Sequence, residues 1–367
     1  MLLLGAAAAF APPAAAAVRR KAPVAVSTAS PAALGREALG ILAASAANGD
    51  PEVRAVAAKS WGELGNRAAI PPLKRALRDP NPDVRIAAAA SLQSLGDVEG
   101  LLALMDEIKP PKSEAVTTPV AALRGMARDA ARARAALQLG LSGGSSAVDA
   151  LDAALGDPSG QVRDAAAIAL ARLGKADASQ FVAAMKDPDE GMRASAARSL
   201  GLIGREGEDE LEKAAASDAS ATVRAAAAEA LGAFSDPSSL DVLTKALGDK
   251  SGRVQLAAAR ALARRDVPPS TAALQKLLAD SPPAPIALTA EAALAARGVA
   301  VDLSLPELTL GLKDPDLKIL AVETLAAAPG GKAEDLLART MRGDPDARVR
   351  ALAAAALVRR LSKKEAP

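Results

Sequence analysis

The sequence predicts an all-α protein, an α-α superhelix of the solenoid type built from about ten helix pairs. One phrase returns along the chain, for example as DPNPDVRIAAAASLQSLG at 79–96 and as DPSGQVRDAAAIALARLG at 157–174. The chain is 50% hydrophobic but only 1% aromatic, which suits thin, Ala-rich helical layers better than one thick core. Self-similarity at a nearly fixed period is the signature of a repeat architecture.

Aligned on the polar residue that opens the phrase, nine copies are evident and a tenth is degenerate. Successive openings are 30 to 34 residues apart, except for one gap of 78 residues that contains the degenerate copy near 118–119. The nine openings are Asn48, Asp79, Asp157, Asp187, Asp218, Asp249, Asp280, Asp314 and Asp344. Two helices alone cannot bury their apolar faces, so neighbouring copies must stack.

Each copy carries signals for where its helices begin and end. A residue that favours helix N-termini stands two positions after the opening and predicts caps at Asp50, Asn81, Ser159, Asp189, Ser220, Ser251, Asp316 and Asp346. A Val follows, and the apolar residues 4, 8 and 11 positions beyond it share one helical face. Glycines predict helix ends at Gly65, Gly96, Gly140, Gly174 and Gly204. A second amphipathic helix fills each interval, as at 68–79, 146–157 and 240–249.

The repeats predict one solenoid domain over residues 31–361, followed by a tail at 362–367. Residues 1–17 are uncharged and end in small residues, which is typical of a secretory signal peptide, although no Lys or Arg precedes the apolar run. Residues 18–30 indicate a flexible linker. We therefore expect an exported protein, periplasmic or secreted, if 1–17 is a signal peptide, and a cytoplasmic one otherwise. No membrane span is expected in the mature chain.

The order Asp-Pro, Val-Arg, Ala-Ala and Leu-Gly resembles the HEAT repeat family, specifically its short-repeat branch first noted in phycobilisome lyases. The resemblance covers residues 31–361 and departs from the pattern at 109–119, a predicted loop, and in the eighth and ninth copies. It implies a superhelix with a concave binding face. It does not imply a particular function, because this repeat serves many unrelated tasks.

An Arg directly follows the Val in most copies, at positions 54, 85, 163, 193, 224 and 350. Such a column could be a basic stripe for phosphate, or a ladder in which each Arg pairs with a turn Asp of its own or an adjacent copy. Asp and Arg occur together in most copies, which favours the ladder. Its predicted members are Asp79, Arg85, Asp157, Arg163, Asp187, Arg193, Asp218, Arg224, Asp344 and Arg350. The ladder should weaken at Gln255, at Ile286 or Ala287, and at Leu320.

Positions that vary between copies are the candidates for binding a partner. The residues six and ten positions after the Val should lie along one surface, which is usually the concave one in HEAT proteins. The predicted partner-binding residues are Lys59, Glu63, Ile168, Arg172, Arg198, Leu202, Glu229, Arg260 and Arg264. This mixture of both charge signs with apolar residues suits a protein or peptide better than a phosphate backbone.

The composition excludes several kinds of chemistry. The chain has no His and no Cys, so Ser-His-Asp and Cys-His nucleophiles, haem ligation through His and iron–sulfur clusters are excluded. Deoxyhypusine hydroxylase, a relative with similar repeats, needs His-Glu iron ligands, so that activity is excluded too. The acidic run at 206–210 lacks the ligand spacing of a calcium loop and predicts a solvated helix start. The Gly-Gly-Lys at 330–332 is followed by Ala333, not Ser or Thr, so we interpret it as a turn.

The sequence thus predicts a non-catalytic scaffold or adaptor for a protein or peptide, with no cofactor and no metal. A tetrapyrrole-handling protein similar to the phycobilin lyases is the alternative, although the chain offers few aromatic residues for a planar pigment. A nucleic-acid-binding HEAT-like protein is a weaker alternative, because the net charge is only +2 and there is a single Trp. That residue, Trp61, stands in a column of core leucines and is predicted to be buried; the alternative is an aromatic anchor near the exposed first repeat.

Overall fold

The computed structural model of the protein describes residues 30–111 and 118–365, which form helices joined by short turns. The even-numbered helices carry the Val-Arg motif or its degenerate equivalent: α2 Pro51–Glu63, α4 Pro82–Ser94, α6 Pro119–Ser142, α8 Gly160–Arg172, α10 Glu190–Ile203, α12 Ala221–Leu231, α14 Gly252–Arg264, α16 Ala284–Ala296, α18 Pro315–Ala327 and α20 Ala347–Glu365. The odd-numbered helices alternate with them: α1 Pro31–Ser45, α3 Ile70–Ala76, α5 Val98–Glu107, α7 Val148–Ala154, α9 Ser179–Ala184, α11 Glu208–Ser217, α13 Pro237–Ala246, α15 Pro268–Ala279, α17 Ser304–Leu310 and α19 Gly331–Gly343. The predicted all-α repeat fold is confirmed.

The local signals explain most helix ends. The side chains of Asp50, Asn81 and Asp189 accept hydrogen bonds from first-turn backbone N–H groups that would otherwise lack a partner. At the other end, four of the five predicted glycines have φ between +67° and +77°, the left-handed conformation that terminates a helix at least cost: Gly65, Gly96, Gly174 and Gly204.

Other predicted boundaries differ from the structure. Gly140 does not end a helix; it lies within α6, where a Cβ atom would come within 2.7 Å of Ala169 on α8, so glycine permits a close helix contact. Asp316 lies inside α18, and Asp314 caps that helix instead. The last helix continues past residue 361 to Glu365. The predicted signal peptide, the predicted linker up to residue 29 and most of the predicted loop at 109–119 lie outside the described residues.

The hydrophobic core is a continuous layer between the even-numbered and odd-numbered helices. The leucines eight positions after the Val are at most 2% exposed: Leu92, Leu170, Leu200, Leu231 and Leu262. Buried alanines lie at the contacts between successive even-numbered helices, such as Ala169, Ala230 and Ala261. Small side chains at such contacts allow the helix axes to approach closely.

The ten even-numbered helices form a closed ring. Each packs against the next one along the chain, and the last, α20, packs against the first, α2. Helix α1 packs extensively against α20 and only sparsely against α2, so the N-terminal helix covers the last even-numbered helix. Most of the other odd-numbered helices pack mainly against the even-numbered helix that follows them. Neighbouring odd-numbered helices make much sparser contacts with one another than the even-numbered ones do. The even-numbered helices are therefore the inner helices, where a ring is narrowest, and the odd-numbered ones are the outer helices.

Apolar contacts and ion pairs join the two ends of the chain at a seam, formed by α1 and α2 against α19 and α20. Leu34 and Ala38 share one buried cluster with Leu357 and Leu361 of α20. Among the described residues, three ion pairs cross the seam, with N–O distances of 2.6 Å for Arg342–Glu37, 2.8 Å for Arg348–Glu52 and 3.2 Å for Arg359–Glu63. Buried apolar surface is the larger contribution, because exposed ion pairs add only about 0–1 kcal/mol each.

A double variant with Glu37→Cys and Arg342→Cys should be cross-linked within one molecule by a short bifunctional maleimide. These two side chains are in contact across the seam, and the chain has no other Cys to react. The measurement is the mobility shift of the internally linked monomer on a denaturing gel. The matched control pairs Glu37→Cys with Lys186→Cys, an exposed residue after α9 on a distant part of the ring, and should give little product. Equal yields from both pairs, or none from the first, would mean that the seam is open.

Candidate binding surface inside the ring

Bidentate ion pairs connect successive inner helices through the turns between them. Nε and Nη2 of Arg193 donate to the Asp218 carboxylate over 2.8 and 3.0 Å, and Arg224 pairs with Asp249 in the same way. Each of these arginines also donates from Nη1 to the backbone oxygen of its own turn Asp, over 2.9 Å. The guanidinium groups hold the pKa of the Asp218 and Asp249 carboxyls below its usual range.

The remaining rungs of the ladder vary. Arg54 pairs with Asp79, and Arg132, in the degenerate copy, pairs with Asp157. Arg85 is directed to Glu107 instead of a turn Asp. Arg163 and Arg350 donate to the backbone oxygens of their own turns, at Asp157 and Asp344.

At the predicted breaks the ladder is modified in two different ways. Gln255 keeps the bond to its own turn, because its Nε2 donates to the Asp249 backbone oxygen over 2.8 Å. Lys318 takes the place that Leu320 was expected to leave empty, and its Nζ lies 2.8 Å from Asp344 Oδ2. The motif in α18 is therefore displaced by two residues from the predicted alignment.

A second set of arginines, which the sequence did not reveal, contacts the C-terminal ends of neighbouring inner helices. Arg172 donates to the Leu202 backbone oxygen, and Arg264 donates to both the backbone oxygen and the carboxylate of Glu229. Arg297 and Arg360 make the same kind of contact with the carbonyl groups at the ends of α14 and α18. Carbonyl groups at the C-terminal end of a helix carry partial negative charge, so a guanidinium stabilises them.

The predicted partner-binding residues therefore have different environments. Lys59, Arg198 and Arg260 are exposed. Leu202 and Glu63 are also exposed, the latter within ion pairs to Lys59 and Arg359. Arg172, Glu229 and Arg264 take part in the contacts described above. Ile168 is only 7% exposed and belongs to the main core cluster, so its side chain has little surface for a partner.

Charges from three other inner helices act on Glu323 of α18. The carboxyl is exposed to solvent, yet the surrounding protein removes part of its hydration, which raises its pKa. Lys59 of α2, Arg260 of α14 and Arg359 of α20 oppose that rise through their positive charges, while Glu63 adds to it. Among the inner helices α18 packs against α16 and α20, so the influence of α2 and α14 acts across the opening of the ring. In α2, α14, α18 and α20, residues of the columns six and ten positions after the Val thus face this opening.

A cleft of about 560 Å³ adjoins Glu323 where α16, α18 and α20 end. Its walls include Ala296, Glu323, Glu334, Arg359 and Arg360. The motif in α18 begins two residues earlier than the predicted alignment assumed. With that shift, Glu323 falls in the same column as Lys59, which explains why the sequence did not identify Glu323 as a candidate. Arg359 stands ten residues after Val349, and the column rule predicts it.

The model of the HEAT repeats matches residues 39–124, 116–201 and 208–295, more than half of the chain. The protein belongs to the HEAT repeat family. The predicted resemblance is therefore confirmed, and α1 to α20 are ten HEAT-type helix pairs.

Comparison with solved structures finds other helical repeat proteins. The complex of CpcE and CpcF of phycocyanin lyase from Nostoc sp. PCC7120 has 19% identity and a TM-score of 0.41, covering 72% of this chain and 99% of that chain. Human deoxyhypusine hydroxylase in complex with glycerol has 21% identity and a TM-score of 0.31, covering 71% and 96%. A designed armadillo repeat protein has 22% identity and a TM-score of 0.32, covering 49% and 98%. No sequence among the curated proteins matches the chain.

The other notable features of the sequence belong to the architecture of the HEAT repeats. Trp61 is partly buried against Leu42, Ala57 and Ala355, so it packs at the seam. The acidic run at 206–210 leads into the first turn of α11, and Gly330 precedes α19 with φ of +95°. Over the described ranges, no group of three or more acidic side chains could hold a metal ion. None of the helices in those ranges combines the length and apolar character needed to cross a membrane.

Proposed function

We propose that the protein is a non-catalytic binding protein that holds an acidic segment of a partner protein against the inner surface of its ring. The two columns on this surface contain six cations, Lys59, Arg172, Arg198, Arg260, Arg264 and Arg359. They contain three acids, Glu63, Glu229 and Glu323. The excess of positive charge favours a partner that carries carboxylates.

Lys59, Arg198 and Arg260 support the proposal most directly, because the fold does not use these three cations, unlike two of the others. Arg264 is bound to Glu229, and Arg359 to Glu63. Lys59 has only a loose contact of 3.7 Å to Glu63, and Arg198 and Arg260 are exposed without an ion pair among the described residues. Charge-assisted contacts with a ligand of opposite charge offset the conformational entropy that three long, charged side chains lose when they become ordered.

The ring is wide enough for such a segment. For a planar ring, ten helices about 9 Å apart have their axes on a circle roughly 29 Å across, and subtracting a helix thickness of about 10 Å leaves an opening of roughly 19 Å. A single extended or helical segment fits within that width, with the exposed Leu202 and Ala296 available for apolar contacts.

A variant that combines Lys59→Glu, Arg198→Glu and Arg260→Glu should bind an acidic segment about tenfold to a hundredfold more weakly than the wild type. This follows from three partly screened charge contacts of about 0.5–1 kcal/mol each. The measurement is the fluorescence anisotropy of a labelled Glu-rich peptide, with a Gln-rich peptide of equal length as the uncharged probe. Circular dichroism checks that the variant keeps its helicity.

The matched control makes the same change of charge on outer helices, with Arg75→Glu, Lys213→Glu and Lys276→Glu. These three cations are exposed on α3, α11 and α15, so the control should lose much less affinity. If both triple variants lose the same affinity, the peptide senses only net charge, and the assignment to the inner surface is wrong. If the Gln-rich peptide binds as tightly as the Glu-rich one, the preference for an acidic partner is wrong.

A further inference from the structure

A second candidate site lies away from the inner columns, in the eighth HEAT repeat. A cavity of about 490 Å³, open to solvent on one side, lies between α15, α16, the turn after α16 and the start of α17. Its walls are largely apolar, with Leu278, Leu294, Val301 and Leu305 among them. Its volume falls within the range of small-molecule sites in proteins.

The carboxylate of Glu291 lines this cavity and breaks the repeat pattern. In each of the other nine copies the equivalent residue is small and apolar: Ala58, Ala89, Ala136, Ala167, Ala197, Ala228, Ala259, Val322 and Ala354. Glu291 is 8% exposed, and its Oε2 atom has no hydrogen-bond partner among the described residues. A buried carboxylate without a partner is costly, and no cation of the described part of the chain forms an ion pair with this residue.

The cation that would satisfy Glu291 is absent from the chain at this point. Ala287 stands directly after Ile286, where other copies carry the ladder Arg, and it also lines the cavity. Residues 287 and 291 are four apart on α16, so they occupy the same face one turn apart. Among the described residues that form the walls, none is Lys or Arg, and Asp302 adds a second negative charge.

These observations indicate a site that lacks a positive ligand. Burial, and to a smaller extent the charge of Asp302, raise the pKa of Glu291 to about 7, so the carboxylate is available to a cation above neutral pH. Glu291 and Asp302 are the titratable groups on the walls. Apolar walls beside a buried carboxylate favour a charged group on a hydrocarbon stem over a hydrated metal ion.

We propose that this cavity binds a small organic cation, a guanidinium on a short apolar stem, with the guanidinium paired to Glu291 and the stem against the leucines. The bound group would occupy the position that the ladder Arg fills in other repeats. This site is independent of the inner columns proposed above to bind a partner.

Isothermal titration of the full chain with n-butylguanidinium at pH 8 tests the proposal, with n-butanol as the uncharged probe. We expect saturable binding of one n-butylguanidinium and no binding of the alcohol. Glu291→Gln should weaken binding by at least about tenfold, because it removes a charge-assisted pair while keeping the shape of the side chain. Ala287→Arg should abolish binding, because the guanidinium of the new side chain would fill the cavity.

Absence of saturable binding to the wild type, or equal binding to Glu291→Gln, would overturn the proposal. Binding that survives Ala287→Arg would place the probe elsewhere and would also overturn it. Circular dichroism of both variants shows that a lost signal does not come from unfolding. Acetyl-arginine methylamide distinguishes the source of the guanidinium: its exclusion points to a free small molecule, and equal binding points to an arginine side chain of another protein.

Discussion

Replacing Arg132 with Met should lower the free energy of unfolding by about 3–5 kcal/mol, the range measured when one partner of a buried ion pair is removed. The side chains of Arg132 and Asp157 are each only 2% exposed. The guanidinium also donates to the backbone oxygens of Ile108 and Lys109, over 3.2 and 3.1 Å. The variant would leave a buried carboxylate and two carbonyl groups without this donor. Urea unfolding followed by circular dichroism measures the loss.

Two further variants show whether burial determines the size of this effect. Arg54→Met removes the same kind of rung where the side chains of Arg54 and Asp79 are 15% and 11% exposed. We expect it to cost about 1–2 kcal/mol, because water can solvate the remaining carboxylate. Adding Asp157→Asn to Arg132→Met removes the uncompensated charge and should recover part of the loss. Equal costs for the two arginines, or no recovery in the double variant, would contradict this explanation.

The fold could be predicted because its signals are local. Asp50 begins a helix and Gly65 ends one through bonds within a few residues, and apolar periodicity identifies the buried face. Closure of the ring could not be predicted from such local signals, because it depends on a small rotation per repeat summed over ten copies. The apolar character of the last helix is one signal of closure. Open solenoids end in a repeat with a polar outer face, whereas the buried residues of α20 include Ala351, Ala353 and Leu357. A last helix this apolar needs another element to cover it.

The inner surface was predictable only where the alignment of the repeats was correct. Lys59, Arg198 and Arg260 lie in one column and are exposed as a group, but Ile168 in the same column is buried in the core. A large aliphatic side chain can fold back between helices, whereas a charged one stays in solvent. The bond from Arg264 to Glu229 joins residues 35 positions apart. Such a contact depends on how neighbouring pairs are rotated, which no local signal specifies.

Replacing Glu291 with Gln should raise the free energy of unfolding by about 3 kcal/mol at pH 8 and change it little at pH 4. The carboxyl has a pKa of about 7 in the folded protein and of about 4.3 in an unfolded chain. Between those values the folded state binds a proton that the unfolded state has lost, so the wild type loses stability as the pH rises through that window. Gln does not titrate, so the variant avoids this loss. Urea unfolding of both proteins at a series of pH values measures the difference.

The pH dependence separates this effect from a simple change in packing. Gln275→Ala alters the wall of the same cavity but removes no titratable group, so its difference from the wild type should be constant between pH 4 and pH 8. A change in packing at residue 291 would likewise give a constant difference. The expected curve for Glu291→Gln instead rises between about pH 4.3 and pH 7 and then levels off. A flat curve would mean that the Glu291 carboxyl titrates in the folded protein as it does in an unfolded chain. Saturating n-butylguanidinium should raise the free energy of unfolding of the wild type at pH 8, because a ligand that binds only the folded state stabilises it. The difference in free energy of unfolding between the wild type and Glu291→Gln should therefore become smaller.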